Sequence, residues 1–172
     1  MINDLLFFEK LNSMIQSEEI CCPRFNPEPY QDKFHVWNNK NFIKDQVFCL
    51  FYIPLNFSSV MTRLDKKLST AGNKSPDGFC LSIHTSMWNI DLLMASDSEI
   101  PNTQNVKLNG KYYSRVYEGD FKNTESWIRD FKQYTADKNI KTGKPLFWYT
   151  TCPKCAKKYG KNYVVIFSEV KE

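Results

Sequence analysis

The residues of this 172-residue chain best suited to chemistry are two cysteine pairs and one glutamate. Cys152 and Cys155 stand in "YTTCPKCAKKYGKNYVV", a C-P-x-C turn that can aim two thiolates and nearby backbone N–H groups at one metal, with neighbouring lysines favouring ionised thiols. Tetrahedral zinc takes about four ligands. The other clustered thiols are Cys21 and Cys22, on a stretch irregular enough to reach the turn. Adjacent cysteines share a metal only with strain, which leaves room for one of them to point elsewhere. A zinc held this way would staple the N-terminal arm to the last hairpin. Four thiolates would leave it no open position for catalysis. The competing reading, of equal weight, is small buried thiols without metal. A redox role needs the pair at a helix N-terminus, and "AKKYG" is too short before Gly160 to supply that helix. Cys49 and Cys80 fall in strand-like runs and read as core.

Glu118 ends a strand-like segment among Tyr112, Tyr113, Tyr117 and Phe121. Partial burial there would suit the carboxylate to act as general base on a water or to hold a cation against aromatic faces. The plainer alternative is an exposed strand-end glutamate beside Lys122 or Arg115. Trp88 lies in "HTSMWNID" between two short strands, where it can line a cleft mouth, and Asp91 can add a second acid. Trp148 and Tyr149 alternate across a strand, so their rings face opposite ways. The candidate pocket set is Trp88, Glu118 and Tyr149, with Asp91, Tyr113 and Tyr117 beside it; ordinary packing is the alternative for each ring. His35 and His84 show no ligand spacing. A nucleophile elbow, a phosphate-binding loop and a dinucleotide fingerprint are absent, so no organic cofactor is expected.

The elements that must position these groups are legible in part. "MINDLLFFEKLNSMI" is apolar at Leu5, Leu6, Phe8 and Leu11, which predicts a helix, and it lacks the basic and small-residue flanks of a signal peptide. "CCPRFNPEPYQDKFHVWNNKNF" carries three prolines and predicts a long irregular arm whose aromatic residues pack on the rest. "QVFCLFYI" predicts one buried strand. "NFSSVMTRLDKKLSTAG" predicts a helix capped near Asn56 or Ser58, with Val60, Met61, Leu64 and Leu68 on one face and Gly72 at its stop. "GFCLSI" and "IDLLMAS" follow as strands. The order then recurs: a strand in "KYYSRVYEG", a helix in "NTESWIRDFKQYTADK", and strands in "LFWYT" and "NYVVIFSEV".

The expected architecture is therefore α+β: duplicated strand-helix-strand-strand units, at about 45–97 and 108–170, behind an N-terminal helix and arm over residues 1–44. Each unit leaves apolar surface that the other covers. Composition permits a sizeable core, with 42% hydrophobic and 15% aromatic residues. Charge is nearly balanced, 23 basic against 19 acidic residues, and no nucleic-acid-binding motif accompanies the lysines, so no nucleic-acid partner is expected. No apolar run reaches the length of a membrane span, and a cytoplasmic location, with reduced thiols, is expected.

"YEGDF" followed by Trp127 resembles the GyrI-like superfamily, where a strand ends in a glycine-aromatic turn before a tryptophan-bearing helix; many members have Pro at the position of Asp120. "CCPRF", "PLNFSSVM", "VYEGDF" and "YTTCPKCAKKYGKNYVV" resemble a narrower bacterial group sometimes labelled hydrolase. The resemblance, over residues 45–170, implies a paired SHS2-type fold. It also implies a pocket between the repeats for a flat apolar or cationic small molecule over an acidic residue, and in some relatives hydrolysis of cyclopropane-containing toxins. No DNA-binding domain is recognised beside it. The competing expectation is a non-enzymatic, zinc-stapled protein-interaction module.

Overall fold

Strand alternation in this chain sends side chains to two apolar environments, and the computed structural model, which describes residues 21–171, shows how both are filled. Seven strands form one antiparallel sheet: β1 (Lys33–Leu50), β2 (Ile53–Pro54), β3 (Cys80–His84), β4 (Asn89–Ala95), β5 (Gln104–Glu118), β6 (Thr142–Tyr149) and β7 (Tyr163–Val170). Three helices interrupt them: α1 (Phe57–Thr70), α2 (Thr124–Asp137) and the short α3 (Pro153–Tyr159). The strand order is β2-β1-β4-β3-β6-β7-β5, and β1 also pairs with β5. That last pairing closes six strands into a barrel and leaves β2 as an appendage.

The expected pair of strand-helix-strand-strand units meeting across a groove is therefore corrected. The long β1 binds β4 through Phe42–Phe48 and β5 through Lys33–Lys44, with a bulge between Trp37 and Lys40. A bulge increases local bend and twist, and residues 42–44 beyond it bond β4 on one edge and β5 on the other. Closure removes the sheet edges that separate units would expose.

One cluster fills the barrel and takes residues from all six strands, among them Phe42, Leu81, Leu93, Tyr112, Trp148 and Phe167. The alternate residues lie outside, beneath the helices. Val60, Leu64 and Leu68 of α1 cover Ile43, Val47 and Leu92. Trp127 and Phe131 of α2 cover Phe147, Val164 and Ile166. Full burial of side chains such as Phe42 or Leu64 is worth about 1.5–3 kcal/mol each, so this two-sided patterning is the main stabilising term.

Three further expectations are revised. The arm gives way to strand at Lys33, so β1 runs through residue 45. The run "QVFCLFYI" is a hairpin: Leu50 pairs with Ile53, and Phe51 and Tyr52 form the two-residue loop at φ 47° and 70°. Its outer residues Phe48, Leu50, Phe51, Tyr52 and Ile53 are exposed. "CPKCAKKY" does form a helix, α3, stopped by Gly160 at φ 67°. The helix expected over residues 1–15 lies outside the described residues. No helix among the described residues is long and apolar enough to cross a membrane.

Candidate functional site

The arm, residues 21–32, crosses one end of the barrel and inserts two rings. Phe25 meets Trp148 edge-on at 5.3 Å and lies 5.6 Å from Tyr163. Tyr30 lies 5.2 Å from Trp148 and 6.0 Å from Phe167. His35 sits behind Tyr30 at 5.7 Å, and its Nε2 shares a 2.7 Å hydrogen bond with Ser114 Oγ. Burial pushes the His35 pKa down, with Lys40 adding to the shift.

At the outer end of the arm the four expected cysteines converge. Cys21 Sγ lies 3.5 Å from Cys152 Sγ, 3.6 Å from Cys155 Sγ and 3.8 Å from Cys22 Sγ, and all four sulfurs fall within 4.8 Å of one another. The helix makes this possible. Cys152 is its N-cap and receives the Cys155 N–H at 3.5 Å, while the Cys152 N–H reaches Cys22 Sγ at 3.3 Å. Pro153 starts the turn at a position where a missing N–H costs nothing. Tyr159 Oη donates to the Cys22 carbonyl at 2.5 Å, and Arg24 lies 4.6 Å over the Tyr159 ring, tying both segments together. Burial pushes the Cys22 thiol up to about 12. Burial also acts to raise Cys155, but hydrogen bonds from the Cys22 backbone and the neighbouring thiols bring it down to about 7. This constellation can hold a metal ion.

The remaining candidates divide between the two ends and two faces of the barrel. Ser82 pairs with Phe147, Phe147 with Ile166 and Ile166 with Arg115, three antiparallel steps. The chain running from Ser82 toward Trp88 therefore moves away from the end where Arg115 leads to Glu118. Trp88 is exposed in the β3–β4 turn, 5.1 Å from Phe51. Asp91 is buried on β4 and paired with Lys44 Nζ at 2.6 Å and Gln46 Nε2 at 3.3 Å. Tyr113 and Tyr117 face outward beneath α2. The Tyr113 hydroxyl donates to Asp32 at 2.9 Å and the Tyr117 hydroxyl to Asp130 at 2.8 Å. Tyr149 shares this face and meets Phe121 edge-on at 5.2 Å. The structure thus gathers Glu118, Tyr117 and Tyr149 at one end and leaves Trp88 at the other.

Glu118 itself is exposed rather than partly buried. It lines a hollow of about 480 Å³ with Gly119, Asp120, Phe121, Ala156, Gly160, Lys161 and Asn162. Gly119, at φ 138°, turns β5 into the α2 approach; its N–H donates to the Asn162 carbonyl at 2.9 Å, and Asn162 Nδ2 returns a bond to the Gly119 carbonyl at 2.7 Å. Lys161 is held protonated by Tyr163 and by the Glu118 charge. Lys161 and Asn162 escaped the sequence reading; their signal was the Gly160 helix stop directly before them. A second hollow of similar size, between α2 and β6, is lined by Ile128, Phe131 and Ile140 and contains no carboxylate.

The sequence model of a family described as bacterial hydrolase matches residues 12–170. No curated protein matches the sequence. Among solved structures, the C-terminal domain of EcmrR superposes with a TM-score of 0.64 at 10% identity, covering 83% of this chain and 98% of that one. An uncharacterized conserved protein from Listeria innocua gives 0.59 at 11% identity, covering 83% and 93%. A hydrolase from Listeria innocua gives 0.57 at 11% identity, covering 95% and 98%. At such identities the likeness is one of fold. The family match is of another kind, since it spans the cysteine arm, the glycine turn and the last hairpin together: the chain belongs to the bacterial hydrolase family.

Proposed function

We propose that the protein binds a small apolar or cationic molecule at the Glu118 end of the barrel and hydrolyses it with a water activated by Glu118. The observation that carries this reading is the state of that carboxylate. Asp32, Asp120 and Asp130 nearby are engaged in hydrogen bonds or ion pairs, whereas Glu118 accepts no hydrogen bond among the described residues and faces an open hollow. A carboxylate so placed can take a proton from water as the water oxygen attacks an electrophilic carbon, the proton passing on to the leaving group. Lys161 would offset the charge developing on the substrate oxygen. Phe121, backed by Tyr149, offers an aromatic wall for an apolar or cationic substituent. The GyrI-like resemblance and the hydrolase family support the same reading.

The test is saturable binding of a cationic aromatic dye, together with turnover of a chromogenic ester. Glu118→Gln should lose turnover and weaken the dye at least tenfold, while Trp88→Ala changes neither. The opposite pattern would move the ligand to the other end of the barrel. A second reading, a non-enzymatic interaction module, is favoured by the exposed apolar residues Phe51, Tyr52, Ile53, Leu55, Met87 and Trp88 around the β1–β2 hairpin. Absent dye binding and absent turnover in the unaltered protein would favour it.

A further inference from the structure

We infer that the four-cysteine cluster binds one zinc ion and that this metal is the latch holding Phe25 and Tyr30 in the end of the barrel. The sulfur geometry comes first. Four sulfurs about 2.3 Å from a central zinc form a tetrahedron with edges of about 3.8 Å. The separations around Cys21, at 3.5, 3.6 and 3.8 Å, are those of such a shell, and they are far too long for a disulfide. An all-sulfur set of this shape selects a soft tetrahedral ion over magnesium or calcium. Binding displaces up to four thiol protons to solvent and leaves a net charge of about −2 on the centre. Arg24, Lys154, Lys157 and Lys158 lie in the two segments that supply the ligands and compensate it.

The second observation is what the cluster anchors. Within residues 21–32 the chain makes few bonds of its own beyond the cysteine contacts: a turn in which Tyr30 and Gln31 N–H share the Pro27 carbonyl, an Asn26 side-chain bond to Glu28 N–H, and a Gln31 side-chain bond to Asp32. The rings of Phe25 and Tyr30 nevertheless fill space against Trp148, Tyr163 and Phe167. At the far end the arm is pinned by Asp32 to Arg115 and Tyr113, and by the Tyr30 carbonyl, which accepts from Ser114 Oγ at 2.7 Å. At the near end the cysteine cluster, with Cys22 carbonyl to Tyr159, is the pin. Zinc there closes a loop from α3 through the arm to β1, and its loss leaves the near end held by the Cys22–Tyr159 hydrogen bond and the Arg24–Tyr159 contact alone. Metal occupancy thus sets whether the aromatic interior is sealed.

The test uses the full chain as purified. Native mass spectrometry should show one zinc per chain, removed by a chelator and absent in Cys21→Ser/Cys22→Ser, a variant that leaves the barrel strands untouched. Hydrogen exchange at residues 23–32, Tyr30 and Gln31 above all, should accelerate about tenfold or more on metal removal and in that variant, with the β3, β4 and β7 amides unchanged. Re-added zinc should restore protection in the unaltered chain alone. A protein that takes up no zinc with its thiols reduced, or one that loses zinc with no change in exchange at residues 23–32, would overturn the inference.

Discussion

Arg115 Nη1 lies 2.7 Å from Asp32 Oδ1, joining the end of the arm to the C-terminal part of β5. The same guanidinium reaches Asp130 of α2 through Nε at 3.3 Å and lies 3.8 Å over the Tyr134 ring. Burial works against the Asp32 charge, but hydrogen bonds from Gln31, Tyr113 and Arg115 hold its carboxyl below the ordinary value. A depressed carboxyl stabilises the fold above its unfolded pKa and loses that contribution as pH falls through the folded one. Arg115→Ala should cost about 1–2 kcal/mol, since the pair is only partly screened. Urea unfolding at pH 7 measures this, and the difference should shrink as the pH falls below about 4.

Histidine gives the opposite edge of the pH profile. Burial lowers both His35 and His84, aided by Lys40 and Lys144 respectively, from the ordinary 6.5. The unfolded chain then binds the extra protons, so stability falls as pH drops below about 6.5. Comparing urea midpoints at pH 7.5 and 5.5 should show a loss in the unaltered protein and a smaller one in His35→Gln/His84→Gln.

The β1–β2 hairpin carries stored strain. Phe51 and Tyr52 both adopt positive φ, a region suited to Asn and Gly in two-residue loops. Phe51→Asn/Tyr52→Gly should raise stability by about 1–2 kcal/mol. It should also reduce self-association, because both rings are exposed. Thermal unfolding and light scattering report the two effects separately.

Gly119 is required by its backbone conformation rather than by lack of space. Its φ of 138° is strained for other residues, and a Cβ would lie 3.4 Å from Asn123 Nδ2 and 3.5 Å from the Trp127 ring. Gly119→Ala should destabilise by on the order of 1–3 kcal/mol. On the proposed hydrolysis, the turn that precedes Phe121 also positions Glu118, so Gly119→Ala should lower turnover even at temperatures where the variant stays folded, as parallel activity and unfolding assays would show.

The local elements were legible because each is written in a short window. The apolar spacing of Val60, Leu64 and Leu68 marks α1, that of Trp127 and Phe131 marks α2, and the continuous apolar run Val164 to Phe167 marks β7. The partnership of Cys21 and Cys22 with Cys152 and Cys155 was also within reach, since thiolate chemistry limits the candidates. The tertiary structure decided the rest. Alternation assigns two faces to a strand but names neither its neighbour nor its register, so nothing local revealed that β1 bonds both β4 and β5 and closes a barrel. Closure then separated Trp88 from Glu118, offered the core surface on which the rings of the arm pack, and left Glu118 in solvent beside Lys161. These outcomes depend on hydrogen-bond pairing between segments far apart in sequence, which only the folded chain specifies.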